Sequence, residues 1–312
     1  MKRIEHQTFD QERALYGQTG LLLNECAFDG PADGESALKE CSDIQIQNCF
    51  CNLRYPFWHN HRLTVRGSDL TASCRAALWY SDHVSIQESR LHGIKALREC
   101  SDVTISESDI RSAEFGWSVN NIVMRQCTAA GEYFMLRSEN MRCDEVQLNG
   151  KYSFQYTKNA ELKHCTLNTK DAFWHAENIT IQNSVVRGEY LAWYSDRLTF
   201  INCKIIGTQP FCYCTNLKLI DCKMEDTDLC FEKSQVHATI LSPVVSIKNP
   251  RSGIISVPSV GKVIMDDADA KGKIVLQDSL KSPIRTSGPG NSQSGGTGEN
   301  RSAPARTKGN PN

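Results

Sequence analysis

Between residues 170 and 203 the chain reads KDAFWHAENITIQNSVVRGEYLAWYSDRLTFINC, and the pattern of its first half returns 19 residues later in its second. Trp174 returns as Trp193, Ile179 and Ile181 as Leu198 and Phe200, and Ser184 as Cys203. A fixed period near 20 residues with strand-like alternation inside it is the signature of a solenoid, in which each repeat is one coil stacked on its neighbour. The column through Ser184 runs along most of the chain as Cys26, Cys49, Ser68, Ser89, Ser108, Cys127, Val146, Cys165, Cys203 and Cys222. Its first step is 23 residues, because the loop-forming run DGPADGES at 29–36 is inserted there. The later steps are 19, 21 and then 19 throughout.

Five and three residues ahead of this column lie apolar pairs such as Val84 and Ile86, Val103 and Ile105, and Leu217 and Leu219, separated by polar residues. That is the alternation of a half-buried strand. Two residues after the column a second apolar set appears (Leu70, Leu91, Ile110, Leu148, Leu167, Val186, Ile205), which predicts a second short strand beyond a bend. Glycines then recur at Gly93, Gly131, Gly150, Gly188 and Gly207, where positive φ is expected at a corner. A third segment follows and carries every tryptophan: Trp58, Trp79, Trp117, Trp174 and Trp193 all stand ten residues before the column. Asn121, Asn140, Asn159, Asn178 and Asn216 share the next bend, with Asp43 and Asp102 on the same column. Stacked asparagines can donate to and accept from one another between coils. Three short strands per turn with an asparagine ladder predict an all-β, single-stranded parallel β-helix of about eleven rungs. The expected organisation is an entry cap at 1–20, the β-helix at 21–236, irregular cap strands at 237–280, and a disordered tail at 281–312, where the composition is almost devoid of apolar residues.

Charge and composition narrow the function. With 35 basic and 36 acidic residues the formal net charge is −1, which speaks against a dedicated nucleic-acid binder. No apolar run approaches the roughly 18 residues of a membrane helix. The opening residues MKRIEHQTFDQERALYG carry no apolar stretch typical of a secretory signal, so a cytoplasmic protein with reduced thiols is expected. Many of the 14 cysteines fall on the repeat and act as small buried hydrophobes. The C-x-C pairs Cys49/Cys51 and Cys212/Cys214 follow from alternation more simply than from zinc, and no metal or cofactor is expected.

If strand alternation continues through the third segment, the tryptophans point inward and the residues on either side of them point out; a bulge would flip the register by one and put the tryptophans outside, and either register leaves an aromatic row exposed. The outer pairs would then include Phe57 and His59, Leu78 and Tyr80, Leu97 and Glu99, Met135 and Arg137, Phe154 and Tyr156, Phe173 and His175, Ala192 and Tyr194, and Phe211 and Tyr213. Such a row suits the flat faces of sugar rings, with His59, Tyr80, Tyr156, Phe173, Tyr194 and Tyr213 as ligand-binding candidates. A charge line at the mouth of this segment (Arg54, Arg75, Lys95, Glu114, Glu132, Lys151, Lys170, Asp171, Glu189) reads as solvated ion pairs. Asp171, His175, Glu99 and Arg137 are the candidates for acid, base and anion contact. Three functions stay open: carbohydrate binding along the aromatic row, an oligosaccharide lyase, hydrolase or isomerase, and a scaffold whose strip is a protein interface.

The rung segments ERALYG, DGESALKE, LRYPFWH, RAALWYSD, GIKALREC, SAEFGW, GKYSFQY, TKDAFWH, GEYLAWYSD and GTQPFCYC resemble the bacterial family of domain of unknown function 3737, over roughly residues 1–280. The resemblance implies a right-handed β-helix akin to the pectate-lyase-like architecture. It implies no catalytic residues.

Overall fold

The structure, a computed structural model, describes residues 1–277; the tail expected at 281–312 lies outside the described residues. The chain has no α-helix among the described residues and winds as a parallel β-solenoid of about 14 turns. It has more turns than expected because both ends continue the coil. Lys2–Glu5 already pairs in parallel with Thr19–Asn24, and Gln235–Ile240, Ser252–Val257 and Lys273–Leu276 extend the same sheet past the periodic region.

A central turn shows the construction. The six-residue strand Ser101–Ser106 pairs in register with Asn120–Arg125, placing Val103 on Ile122 and Ile105 on Met124 inside the core. After a corner, Asp109–Arg111 pairs with Thr128–Glu132 and stacks Ile110 on Ala129. The 19-residue period is what keeps each apolar residue over its equivalent, so the core is a bundle of continuous columns.

The corners are left-handed. In the turn 171–189, Asp171, Phe173, His175, Asn178 and Asn183 all have φ between 50° and 62°. Two inward polar columns serve these corners. In the first, the backbone N–H of Cys49, Ser68 and Ser89 donates to the hydroxyl of Ser68, Ser89 and Ser108 on the next turn, at 3.0, 3.1 and 3.2 Å. The Ser89 hydroxyl donates in turn to the Gln87 carbonyl at 2.7 Å. This explains the Cys/Ser preference: the position needs a small side chain able to accept from a buried amide. A second column, unseen in the sequence, repeats the device: the amides of Cys41, Asn60 and Val119 donate to Asn60 Oδ1, Ser81 Oγ and Ser138 Oγ at 2.9, 3.0 and 3.0 Å. The asparagine ladder forms on the outside, where Asn178 donates to Asn159 at 2.8 Å and Asn159 to Asn140 at 3.3 Å.

The recurrent glycines divide: Gly131 and Gly207 have the expected positive φ, 157° and 127°, whereas Gly150 and Gly188 do not. At Gly150 and Gly188 a Cβ would sit 2.0 and 2.1 Å from the carbonyl oxygens of Gly131 and Thr169 on the previous turn. Close approach of coils, rather than positive φ, excludes a side chain at these two positions.

Candidate functional site on the aromatic face

The third side of each turn is not a regular strand. Only Leu78–Trp79 and Leu97–Arg98 pair there as strands, while equivalent residues elsewhere follow tight turns. Left-handed residues rotate their side chains out of the pleat, so alternation fails. The row expected outside, Phe57, Leu78, Leu97, Met135, Phe154, Phe173, Ala192 and Phe211, is wholly buried. Phe173 is 0% exposed and stacks on Phe154 with centroids 5.0 Å apart. It belongs to the core and not to a binding face. The tryptophans are half-buried on the outer surface, beside the exposed row of His59, Tyr80, Glu99, Arg137, Tyr156, His175 and Tyr194.

The tryptophans brace the coil. Trp79, Trp117, Trp174 and Trp193 donate from Nε1 to the carbonyls of Lys95, Tyr133, Tyr190 and Gln209, at 2.8, 2.9, 2.6 and 2.8 Å. Each acceptor is the left-handed residue that opens this side in the next turn. Gln155, which stands in the tryptophan column, makes the same bond to the Asp171 carbonyl at 2.9 Å. Arg98, also in that column, lies between Trp79 and Trp117, its guanidinium 5.0 and 5.3 Å from the two ring centroids. A tyrosine column at multiples of 19 residues, Tyr133, Tyr152 and Tyr190, went unread in the sequence; Tyr133 and Tyr190 meet Trp117 and Trp193 edge-on.

The outer row is stacked on itself. Arg137 caps Tyr156 at 5.6 Å, Tyr156 lies 4.9 Å from His175, His175 5.2 Å from Tyr194, and Tyr194 4.7 Å from Tyr213, the ring pairs being parallel within 10°. His59 and Tyr80 form a separate stack at 5.0 Å. Rings one coil apart necessarily lie face to face, so their faces are covered and mainly edges and hydroxyls meet solvent. The ring stack ends at Tyr213, whose place in the next turn is taken by Lys233, and no further ring stacks on it among the described residues.

A cavity of about 410 Å³ opens at that end. Tyr194, Tyr213, Thr215, Lys233, Asn249, Arg251, Asp267, Asp269 and Ala270 line it. Asn249 is buried and fixes the acidic segment: its amide donates to Asp266 Oδ1 at 2.6 Å, and its Oδ1 accepts from the Asp266 and Asp267 amides at 3.0 and 3.3 Å. Lys233 Nζ lies 3.5 Å from Asp267. The Asp269 backbone N–H, followed by Lys233, holds the Asp267 carboxyl below its ordinary range. Burial raises the Tyr213 phenol, with nearby Glu232 adding to the effect. Lys233, Asn249, Arg251, Asp267 and Asp269 left no signal in the sequence because they lie beyond the periodic region.

The four acid-base candidates do not converge. Asp171 and His175 share a turn, but no hydrogen bond joins them. Glu99 pairs with Arg98 at 3.3 Å and stands four turns from His175, about 19 Å at the spacing of adjacent strands. Arg137 is spent on the face of Tyr156. Asp171 is 7% exposed, and burial raises its carboxyl, with Glu189 adding and Lys170 opposing. The charge line pairs between turns as expected, with Lys151–Glu132 and Lys170–Glu189 both at 2.9 Å and Lys95–Glu114 at 3.4 Å.

The family described as Protein of unknown function (DUF3737) matches residues 2–276. The chain belongs to that family. Among curated proteins none matches. Solved structures with a similar course include the Agl-KA catalytic domain (8% identity, TM-score 0.40, covering 88% of this chain and 62% of that one). Others are PfbA, a surface adhesin of Streptococcus pneumoniae (8%, 0.36, 82% and 81%), and a tailspike protein double mutant of E. coli bacteriophage HK620 (9%, 0.40, 91% and 73%). This family member therefore spans less than two thirds of Agl-KA's catalytic domain. Likeness at this level bears on neither activity nor ligand. No helix among the described residues is long and apolar enough to cross a membrane.

Proposed function

We propose that the protein binds a carbohydrate in the cavity at the end of the aromatic stack. The observation that carries this reading is that the ring stack ends at Tyr213, in the lining of a cavity of about 410 Å³. A tyrosine face suits the apolar C–H face of a sugar ring. The rest of the lining mixes donors from Lys233, Arg251 and Asn249 with acceptors from Asp267 and Asp269. Two cations and two carboxylates balance in formal charge, and alternating donors and acceptors match a ligand rich in neutral hydroxyls better than a multiply charged one. Compared with a groove along the whole row, this places the ligand at one end, since the faces of Tyr156, His175 and Tyr194 are taken by their neighbours.

A panel of oligosaccharides screened by thermal shift, with hits titrated calorimetrically, tests the proposal. At least one saccharide should bind the wild type, and Tyr213→Ala should weaken it by about tenfold or more, equivalent to about 1.4 kcal/mol. Tyr80→Ala, in the separate stack, should bind as the wild type does. No binding across the panel, or equal binding by Tyr213→Ala, would overturn it.

A further inference from the structure

A second cluster, independent of the cavity, stands where the strands His61–Arg66 and Asp82–Gln87 begin. His61 and Asp82 occupy equivalent positions on adjacent turns, paired in register, so their side chains leave the sheet side by side. His83 follows Asp82 with φ of 52°. That left-handed conformation turns its ring toward its predecessor instead of across the strand. As a result both imidazoles aim Nδ1 at a single oxygen: His83 Nδ1 lies 2.6 Å from Asp82 Oδ1, and His61 Nδ1 contacts the same atom. The two rings are 5.3 Å apart and nearly perpendicular. One ligand atom from each of the three residues falls within 4.8 Å of the others.

The geometry points to a site for a divalent transition metal of the zinc type, held by His61, Asp82 and His83. Two imidazole nitrogens and a carboxylate are the donor set that borderline metals such as zinc prefer. In the metal-free protein, hydrogen bonds draw the three atoms together. A metal at their meeting point, with bonds of about 2.0–2.2 Å, requires each nitrogen to move from its contact with the carboxylate oxygen to the edge length of a tetrahedron, about 3.3 Å. All three side chains are partly exposed, and this leaves a fourth position to water or ligand.

The surroundings favour a dication. Asp102, on the next turn, stands 4.0 Å from His83 Nε2, on the side of the ring away from Asp82, where a carboxylate orients a metal-bound histidine. Arg62, the nearest cation, is turned away into a bidentate pair with Asp43, at 2.5 and 2.7 Å. With neutral imidazoles the group Asp43, Arg62, Asp82 and Asp102 carries a formal charge of −2. His83 also stands in the column that other turns fill with Asn121, Asn140, Asn159 and Asn178. His61 and His83 are the only histidines on the two columns that the cluster uses among turns 42–216.

The test is isothermal titration of the full chain with zinc chloride, paired with the visible spectrum of the cobalt(II) form. One equivalent of zinc should bind. His83→Asn should weaken binding by tenfold or more while leaving the melting temperature near that of the wild type, because asparagine fits this left-handed corner in five other turns. His61→Ala should weaken binding to the same degree, and His164→Ala, on another corner, should leave it unchanged. Absence of binding at millimolar zinc, undiminished binding in both His83→Asn and His61→Ala, or a thiolate-to-cobalt charge-transfer band would each overturn the assignment.

Discussion

Replacing Trp193 separates the two things a tryptophan does on this face. Its indole N–H donates to the Gln209 carbonyl at 2.8 Å, and its ring stacks on Trp174 at 5.5 Å and 6° while Tyr190 and Tyr213 meet it near edge-on. Trp193→Phe keeps a ring in the stack but removes the donor, and one net hydrogen bond is worth about 0.5–1.5 kcal/mol. Trp193→Gln does the reverse, since Gln155 already shows that a glutamine in this column reaches the equivalent carbonyl. It forfeits the aromatic pair, about 0.5–1.5 kcal/mol, and the contribution of a half-buried ring, about 1–2 kcal/mol. Trp193→Ala loses both. The expected order of destabilisation is therefore Phe (about 1 kcal/mol), Gln (about 2–3 kcal/mol) and Ala (about 3–4 kcal/mol).

Hydrogen exchange read by mass spectrometry is the suitable assay, because a solenoid's stability is carried by neighbouring turns. The amides of His175 and Tyr194, which donate to Trp193 and Cys212 across the coil at 3.0 and 3.2 Å, should lose protection by about tenfold for each 1.4 kcal/mol. Peptides covering residues 42–66 should exchange as in the wild type. If Trp193→Gln is as damaging as Trp193→Ala, the hydrogen-bond role inferred from Gln155 is wrong. If Trp193→Phe is neutral, the indole–carbonyl bond contributes nothing.

Two further outcomes concern groups with shifted ionisation. The folded-state carboxyl of Asp171 titrates above its unfolded value because of burial, so its charge opposes folding once the pH exceeds the folded value, and the penalty disappears below the unfolded value near 3.9. Asp171→Asn should accordingly melt higher than the wild type at pH 7, with the advantage vanishing toward pH 3.5; a lower melting temperature at pH 7 would contradict this sign. Burial pushes the thiols of Cys49, Cys100 and Cys165 up to about 11 and those of Cys74 and Cys212 to about 12, so native protein at pH 8 should react with Ellman's reagent far more slowly than unfolded protein. Rapid reaction of several thiols in the native state would show that the columns open readily.

Much of the candidate surface was legible at the level of columns and misread at the level of direction. His59, Tyr80, Tyr156, His175, Tyr194 and Tyr213 do form outward stacks, but Phe173 and its column were assigned outside because alternation assumes β dihedrals throughout. The expected strand is instead a run in which Asp171, Phe173 and His175 are all left-handed. Residue type announces this only weakly: aspartate and histidine are enriched at positive φ, but phenylalanine rarely adopts it and does so here because the stacked turns hold it. The cluster of His61, Asp82 and His83 was hidden for a related reason: His83 meets His61 one turn and one residue away, through a left-handed swing.

Spacing along the chain by itself determined the solenoid and its columns. A period of 19 residues at a fixed coil height obliges equivalent side chains to stack, whatever their conformation. Tertiary structure alone decided which columns of the third side face the core, because that depends on backbone dihedrals imposed by packing against the turns above and below. It also decided the site: the cavity unites Tyr213 with Arg251 and Asp267, residues far apart in sequence and outside any period, brought together where the last turns close over the end of the stack.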